Sequence, residues 1–405
     1  MLSGKKIIVA VCGSIAAYKS VILVRSLIKD GAEVKVIMTS EATHFVGALT
    51  FSTLSRHDVY SDISSEEGWN NHVELGLWAD LIVVAPATAN TLAKMAQGLC
   101  DNILLAVYLS ARCPIWIAPA MDVDMWHHPA TQRNVASLGE DGVHLIPVGD
   151  GELASGLVGE GRMAEPHEIM EEITGFFKKK SELTGTQFLV TAGPTYEDLD
   201  PVRYIGNRSS GKMGIAIAKE LADRGARVDL VIGPTHQQID AHPSLNVHHV
   251  RSAREMAEAA IKLWPDCAGA VFAAAVADYR PAKISTDKIK KKEGDLVIEL
   301  ERTVDIAKAL AKQKTSSQLT IGFALETQDL EQNAQSKLAR KNFDMIVLNS
   351  PNDAGAGFQH DTNKVTFYWA EGKTRALPLL AKTEVASEIV DEVIKIRNVK
   401  VHIDS

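Results

Sequence analysis

The sequence predicts an α/β protein of two Rossmann-like, three-layer domains built on mainly parallel sheets. Three observations predict it. Near-continuous apolar runs recur along the chain, at 7–11, 34–38, 81–85, 115–118 and 228–232, with helical patterns between most of them. Strands buried on both faces read this way, because helices cover each side of the sheet. The pattern breaks at a polar, lysine-bearing stretch, 176–186, and then restarts. A chain of 405 residues, 46% hydrophobic and 23% charged, is too long for one ordinary core and apolar enough for two.

Each element follows in order. Residues 7–11 read as the first strand. A helix opens at Ser14, with Val21, Val24, Leu27 and Ile28 on one face and Gly31 placed to end it. Residues 34–38, 81–85, 115–118 and 143–148 read as further strands. Residues 176–186 form the linker, so the domains are expected at 1–180 and 186–405. The second begins with a strand at 188–191 and continues with strands at 228–232, 269–275, 319–323 and 345–348. Ser252-Ala253-Arg254-Glu255 has the form of a capping box, in which serine and glutamate each satisfy an open amide at a helix start. Residues 364–369 and 374–378 flank Glu371-Gly372 as a hairpin, and 382–397 is a closing helix.

Bulk properties exclude several classes. The net charge of −8 disfavours a nucleic-acid binder, which carries a basic surplus. Four cysteines, Cys12, Cys100, Cys113 and Cys267, form no C-x-x-C pair, so neither a zinc site nor a disulfide framework is expected. A reduced, cytoplasmic setting follows. Lys5-Lys6 before 7–11 resembles a signal peptide only faintly, since the apolar run is too short. No stretch approaches the roughly 20 apolar residues of a membrane helix, so no membrane partner is expected.

The first half carries small hydroxylated residues where strands give way to helices. Gly13-Ser14-Ile15 follows the first strand, Thr39-Ser40 the second, and Thr88-Ala89-Asn90-Thr91 the third. Such residues at the carboxyl ends of parallel strands can hold a phosphate or a polyhydroxyl chain. Singly, each reads more simply as a helix cap. G-x-G-x-x-G is absent, which argues against a dinucleotide fingerprint. His72 precedes the strand at 81 and can accept a proton near neutral pH; most of the 13 histidines are expected to be structural. Residues 119–126 (PAMDVDMW) follow a strand and hold two carboxylates. Residues 151–163 hold four glycines, which reads as a mobile connection or as a lid.

These pieces, GSIAAYK at 13–19, HVELGLWAD at 72–80, APATANT at 85–91, PAMDVDMW at 119–126 and SGLVGEGRM at 155–163, closely resemble the flavoprotein decarboxylases that act on 4′-phosphopantothenoylcysteine. The resemblance covers about 5–173. It implies a flavodoxin-like domain binding FMN through Gly13, Ser14, Ile15, Thr39, Thr88 and Asn90. It implies that FMN oxidises the cysteine portion to a thioaldehyde, that carbon dioxide then leaves, and that the reduced flavin returns the hydride, with His72 steering or deprotonating the substrate. Two positions depart from the family. Its P-x-M-N-x-x-M motif binds the substrate carboxylate through asparagine, where this chain has Asp122. Its mobile loop protonates the final intermediate through cysteine, where this chain has Ser155, a much poorer acid than a thiol titrating near about 8.5. Asp122 and Ser155 are nevertheless the expected catalytic positions beside His72.

In the second half, Thr191-Ala192-Gly193-Pro194-Thr195 follows a strand. Residues 200–214 (DPVRYIGNRSSGKMG) place Arg203, Asn207, Arg208 and Lys212 around a helix start, an anion site by amide donation and dipole. The spacing is not that of a Walker loop. Asp278 ends an apolar run ten residues before Lys288, with Lys290, Lys291 and Lys292 next. A lysine run is most simply a solvated face. An acid that can share a divalent metal beside cations that can meet phosphates is the functional reading.

TAGPT, DPVRYIGNRSSGKMG, AAAVADYR, DKIKKK and GFALET resemble the phosphopantothenate–cysteine ligase family over about 188–397. The resemblance implies that 4′-phosphopantothenate attacks the α-phosphate of CTP and that cysteine captures the acyl-cytidylate, with Mg²⁺ neutralising the triphosphate. It implies a nucleotide site of Phe272, Ala273, Ala274, Asp278, Lys288, Val304, Asp305, Ile306, Ala307, Phe323, Lys337 and Lys341. Asn207 falls on the residue that stabilises the intermediate, Arg203 and Lys212 on substrate, and Asp278 on the metal. The order of the halves matches a bifunctional enzyme of coenzyme A biosynthesis. The alternatives are a ligase whose first domain is an FMN-binding scaffold, and a nicotinamide dehydrogenase, which lacks its fingerprint here. The resemblance also implies homo-oligomers, with trimers of the flavin domain linked by ligase dimers, up to a dodecamer.

Overall fold

The structure is a computed structural model, and it describes residues 2–65, 68–69, 71–291, 296–325, 330–349 and 360–403. The chain divides into two compact units, Met1–Lys178 and Lys179–Ser405. Among the described residues, no helix is long and apolar enough to cross a membrane.

In the first unit, β1 (Lys6–Val11) lies between β2 (Glu33–Met38) and β4 (Leu81–Ala87). Beyond β2 sits the two-residue β3 (Val59–Tyr60), and beyond β4 come β5 (Ile115–Pro119) and β6 (His144–Leu145). All pairings are parallel. Without the short edge strand β3, the order is 2-1-3-4-5, the flavodoxin-like arrangement. β1 is buried on both faces from Ile7 onward, as its apolar run requires. The helix α1 (Ala17–Lys29) covers one face with Leu23, Val24 and Leu27. Helices α2 (Ala48–Ser55), α3 (His72–Trp78), α4 (Ala89–Ala96), α5 (Ile103–Ser110), α6 (Val123–His127) and α7 (Pro129–Glu140) complete the layers.

Two expectations of the sequence change here. The strand expected at 143–148 pairs only at His144–Leu145. The stretch expected as linker is entered by a helix: α8 (Pro166–Lys179) docks Ile169, Ile173 and Phe177 into the first core. Its lysines lie at the end of an amphipathic helix rather than in a free connection, a pattern that the polar composition of 176–186 hid.

The second unit repeats the plan. β9 (Gln187–Ala192) lies between β12 (Arg227–Ile232) and β14 (Gly269–Phe272). β13 (Leu245–His249) flanks β12, while β17 (Leu319–Leu325) and β18 (Met345–Asn349) extend the other side. These six strands are parallel. The antiparallel hairpin of β19 (Val365–Trp369) and β20 (Thr374–Ala376) closes that edge about Gly372, as expected. Two ribbons stand apart, β10 (Tyr196–Asp198) with β11 (Tyr204–Gly206) and β15 (Tyr279–Pro281) with β16 (Leu300–Arg302). Helices α9 (Lys212–Asp223), α10 (Ala253–Leu263), α11 (Ile306–Ala311), α12 (Leu330–Lys341) and α13 (Lys382–Ile403) cover the faces. At α10, Ser252 accepts from the Glu255 amide at 3.2 Å, while the Glu255 carboxylate reaches the Arg251 amide at 2.8 Å, one residue earlier than a capping box would have it.

α9 lies close on β9 because Gly214 has no side chain. A Cβ there would fall 2.5 Å from that of Ala192. The helix is further held by the buried Arg224 just past its end, which bonds Glu220, Glu182 and Asp391 at 2.8 Å each and so ties α9 to α13. Replacing Gly214 with alanine forces α9 off β9, an overpacking that costs about 1–3 kcal/mol. Thermal unfolding should report this as a lower Tm for the second unit. The same variant should bind anionic ligands at the α9 start more weakly, measured by calorimetry.

Candidate functional site

In the first unit the carboxyl ends of β2, β1 and β4 lie side by side. The Thr39 amide bonds the Val11 carbonyl at 3.0 Å, and the Cys12 amide bonds the Pro86 carbonyl at 3.3 Å. The sheet order reverses between β1 and β4, which opens a crevice at this edge. Gly13-Ser14, Thr39 and Thr88 all stand on it. Their side-chain oxygens accept from nearby amides: Ser14 from Ala16 at 3.2 Å in the turn before α1, and, as helix caps, Thr39 from Ala42 at 3.3 Å and Thr88 from Thr91 at 3.4 Å. For Ser14 and Thr39 this leaves the ligand reading open, because a hydroxyl that accepts an amide keeps its own hydrogen to donate; Thr88 gives its hydrogen to the Thr91 hydroxyl at 3.2 Å. Gly13 is needed for a reason internal to the fold, since a Cβ would lie 2.5 Å from that of Glu41. Ile15 is exposed, and Asn90 is the second residue of α4. This edge, a row of hydroxyls at a switch point, fits a phosphate with a polyhydroxyl chain.

The glycine-rich segment is an ordered hairpin. β7 (Gly149–Glu152) pairs antiparallel with β8 (Val158–Arg162). Its glycines serve backbone geometry, with positive φ at Gly151, Gly159 and Gly161. At Gly161 the hairpin lies directly on the chain after β5: a Cβ would meet the Met121 carbonyl at 2.5 Å, and the Met121 amide bonds the Gly161 carbonyl at 3.0 Å. A tether that sequence reasoning did not find holds the far end. The buried Lys19 donates to the Met163 carbonyl at 2.9 Å and to Glu165 at 2.8 Å. The Lys19 hydrogen bond and charge hold the Glu165 carboxyl below its ordinary value. Lysine within the 13–19 motif was the available signal, and only its burial reveals its use.

The hairpin brings two predicted residues together. Ser155 donates to the Asp122 carboxylate at 2.6 Å, and its oxygen accepts from the Leu157 amide at 3.4 Å. The one hydroxyl hydrogen of Ser155 is therefore directed at Asp122, and in this arrangement Ser155 latches the hairpin rather than offering a proton to a substrate. Asp122 precedes α6 without capping it. His72 is the first residue of α3, following the Asn71 cap.

In the second unit the same edge geometry recurs with different chemistry. The Gly233 amide bonds the Ala192 carbonyl at 3.0 Å, and the Ala273 amide bonds Thr191 at 3.0 Å. The buried Thr195 accepts from the Ala277 amide at 3.0 Å, fixing the loop that carries Asp278. A cavity of roughly 970 Å³ opens here. Its wall includes Phe272, Ala273, Ala274, Asp278, Val304, Asp305, Ile306, Ala307, Phe323, Lys337 and Lys341, with Asn207 and Lys212 beside them. Among the described residues, eight cations (Arg208, Lys212, Arg302, Lys308, Lys337, Arg340, Lys341, Lys382) line it against two carboxylates, Asp278 and Asp305. Arg302, Lys308, Arg340 and Lys382 carried no separate sign in the sequence, because their distance along the chain disguised their convergence.

The individual side chains are held firmly. Asn207 donates to the Ala275 and Val276 carbonyls at 3.1 and 3.0 Å. Lys341 pairs with Asp305 at 3.1 Å, and Asp305 caps α11. Lys337 reaches the Phe323 carbonyl at 3.4 Å. Lys212 pairs with Asp361 at 2.6 Å, which holds the Asp361 carboxyl below its usual value. Burial, reinforced by the nearby Lys212, pulls the Lys382 ammonium below the ordinary lysine value.

Two predicted residues are placed elsewhere. Arg203 is committed to Asp200, at 2.6 and 3.0 Å, and to the Ile289 carbonyl at 2.6 Å, so its work is to anchor the lysine segment. Lys288 lies on that segment and is absent from the cavity wall. Lys292 and the last two residues of GFALET lie outside the described residues. Among the described residues, no cluster of three or more metal-ligating side chains forms.

Asp200 has no exposed side chain. Burial alone would raise its carboxyl, but the Ile289, Val202 and Arg203 amides and the Arg203 guanidinium outweigh that and hold it well below the usual carboxylate range. A depressed carboxyl stabilises the fold above its unfolded value, about 3.9, and loses that contribution only as pH falls through the folded value. Asp200→Asn should therefore destabilise the second unit by the same amount at pH 7 and pH 5. The difference from the parent should shrink only in strong acid, as read by denaturant unfolding across pH.

Comparison with known proteins follows this division. Residues 1–178 match the family described as Flavoprotein, and residues 183–396 match the DNA/pantothenate metabolism flavoprotein C-terminal domain. A protein from an unknown prokaryotic organism, named cysteine/cysteine sulfinic acid decarboxylase, is 52% identical over 355 residues, spanning 85% of this chain and 98% of that protein. The coenzyme A biosynthesis bifunctional protein CoaBC of Bacillus subtilis (strain 168) is 44% identical over 398 residues, 97% of each chain. The solved C-terminal domain of a coenzyme A biosynthesis bifunctional protein CoaBC is 44% identical with a TM-score of 0.46, covering 53% of this chain and 97% of that one.

Proposed function

Because this chain belongs to the family of bifunctional coenzyme A biosynthesis proteins, we propose that its cationic cavity joins 4′-phosphopantothenate to cysteine and that its flavoprotein domain decarboxylates the product. The chain is a two-domain enzyme, a ligase and a decarboxylase. The observation that carries the ligase assignment is the cavity wall, eight cations against two acids in a chain of net charge −8. A surplus of that kind suits a ligand with several phosphates.

CTP is the nucleotide this reading assigns. Lys337, Lys341 and the α9 start with Lys212 bind its phosphates, while Phe272, Phe323 and the segment Val304, Asp305, Ile306 and Ala307 border the nucleoside. Asp278, which makes no ion pair among the described residues, would help to hold a Mg²⁺ that neutralises the triphosphate charge. Asn207, locked to two carbonyls, sits where the acyl-nucleotide forms and orients it. The substrate carboxylate displaces pyrophosphate at the α-phosphate, and the cysteine amine then displaces the nucleotide. Lys288 and Arg203 act at a distance, by shaping the segment between them.

In the first domain, Ser14 and Thr39 would donate their hydroxyl hydrogens to the phosphate and ribityl chain of FMN, with Gly13, Ile15, Thr88 and Asn90 beside them. FMN, when bound, supplies a two-electron oxidation and its reversal, which let the carboxylate leave as carbon dioxide. The hairpin over Met121 and Asp122 excludes water, and His72 steers the substrate. Oligomers are part of this reading: flavin-domain trimers and ligase dimers, up to a dodecamer. Ile15, Tyr18 and Ile22 support the trimer, standing exposed at three- and four-residue spacing about the start of α1.

A second reading of the flavin domain is favoured by Asp122 and Ser155, which replace the family's asparagine and cysteine, together with the relative named for cysteine and cysteine sulfinic acid decarboxylation. On that reading the domain also decarboxylates cysteine that carries no pantothenoyl group.

The purified protein, given 4′-phosphopantothenate, cysteine, CTP and Mg²⁺, should yield 4′-phosphopantetheine by mass spectrometry. Asn207→Ala should lower ligation by about 100-fold, the scale of losing one donor at a reacting centre, while 4′-phosphopantothenoylcysteine supplied directly is still decarboxylated. Accumulation of 4′-phosphopantothenoylcysteine in the parent protein would remove the decarboxylase from this reading.

A further inference from the structure

We propose that Asp122 reads the α-nitrogen of the substrate and confers on the flavin domain a preference for a free α-ammonium over an α-amide. The proposal rests on the second reading above and names the residue that decides it.

Asp122 follows β5 at the carboxyl edge of the sheet, one residue past the point where Gly161 of the hairpin presses on the Met121 carbonyl. It stands at the N-cap of α6 yet makes no capping bond, unlike Asn71, Thr88 and Asn102 at the starts of α3, α4 and α5. Its carboxylate is turned instead toward the hairpin, where Ser155 donates to Oδ1 at 2.6 Å. A carboxylate has about four acceptor positions, and Ser155 takes one of them. Among the described residues, no lysine, arginine or histidine lies within ion-pair distance of Asp122; Lys19 and Arg162, the nearby cations of the hairpin's far end, are both engaged by Glu165 at 2.8 and 3.2 Å. Among the described residues, the half-buried Asp122 carboxyl therefore has no cationic partner.

Such a group repels a substrate carboxylate and attracts a donor. Cysteine in amide linkage offers one neutral N–H at its α-carbon. Free cysteine offers an ammonium, whose full positive charge adds a Coulomb attraction to the carboxylate that the neutral amide lacks. Asp122 accepts from either, so both are substrates, and the ammonium gains more. The substrate carboxylate, kept away from Asp122 by like charge, is thereby aimed to the other side of the α-carbon. The overall change is redox-neutral: the bond from the α-carbon to the carboxylate breaks, carbon dioxide leaves, and a proton takes its place, giving cysteamine from cysteine. Ser155 fixes the orientation of Asp122 and closes the hairpin over it.

The test uses the full-length, FMN-loaded protein. Decarboxylation of cysteine and of 4′-phosphopantothenoylcysteine is followed by carbon dioxide release in the parent and in Asp122→Asn, with flavin absorbance confirming equal loading. The parent should decarboxylate both. In Asp122→Asn the ratio of the two kcat/KM values should move at least about tenfold toward the amide-linked substrate, the scale of a lost charge-assisted bond. Binding gives a readout independent of turnover and of the variant: by calorimetry, the parent should bind cysteamine at least about tenfold more tightly than N-acetylcysteamine, since only the former has the ammonium. A parent that decarboxylates 4′-phosphopantothenoylcysteine but not cysteine overturns the proposal and leaves the family reading standing. A parent inactive on both overturns each of them. An unchanged ratio, or equal binding of the two amines, shows that Asp122 does not read the α-nitrogen.

Discussion

Both domains depend on one constraint, the reversal of strand order beside the central strand of a parallel sheet. In each, the first strand of the domain lies in the middle, and the chain builds outward to one side and then to the other. The helices on either side of the reversal diverge, leaving a crevice at the carboxyl edge that side chains do not fill. The backbone edges of the two crevices are secured alike: each strand end passes an amide to the carbonyl of its neighbour, Thr39 to Val11 in one and Gly233 to Ala192 in the other. What distinguishes them is chemistry placed on a common frame. Hydroxyls with few charges line the first, and cations dominate the second. Two reactions on one kind of molecule can thus be housed by the same architecture, with the division of labour carried by side chains at equivalent positions.

Much of this was legible in the sequence, because the signals are local. Apolar runs marked the parallel strands, Gly372 marked the closing hairpin, and small hydroxylated residues marked the strand ends. Cavity residues such as Phe272, Asp278, Phe323 and Lys341 were also found. What escaped was direction. Arg203 has the residue type of a phosphate ligand, yet Asp200, three residues before it, captures its guanidinium through two nitrogens. The length of α8 escaped because its apolar stripe ends in lysines. The hairpin of 149–162 escaped for a subtler reason. The four glycines of 151–163 read as freedom, but here all four adopt positive φ and Gly161 admits a close contact, so composition that signals mobility in isolation secures order in context.

The pairing of Asp122 with Ser155 shows how two departures from a family pattern can be one. Each alone removes something: aspartate in place of asparagine adds repulsion toward a carboxylate, and serine in place of cysteine removes an acid. Together they make a short hydrogen bond that positions the charge. A cysteine at 155 would be a weaker donor to the carboxylate, so the serine suits the aspartate better than the residue it replaces. The pair is therefore best understood as a unit, and the chemistry of the lid follows from what the unit attracts.

The cationic cavity raises the matter of how a chain with net charge −8 keeps so many positive groups together without a ligand. Part of the answer lies in pairs within reach of the wall. Asp305 engages Lys341, and Asp361 engages Lys212. Asp361 is 88% exposed at its side chain, so its bond to Lys212 is screened and contributes little to stability. That weakness is useful. A carboxylate that partly neutralises a lysine of the cavity wall, and that water can readily receive, is displaced at small cost when a more highly charged anion arrives. The Lys382 ammonium, pulled down by burial and further by the like charge of Lys212, gains a counter-charge from any anion that binds beside them. The field that makes clustered cations costly is the field that attracts an anion, and exposed acids at the rim moderate the first without cancelling the second.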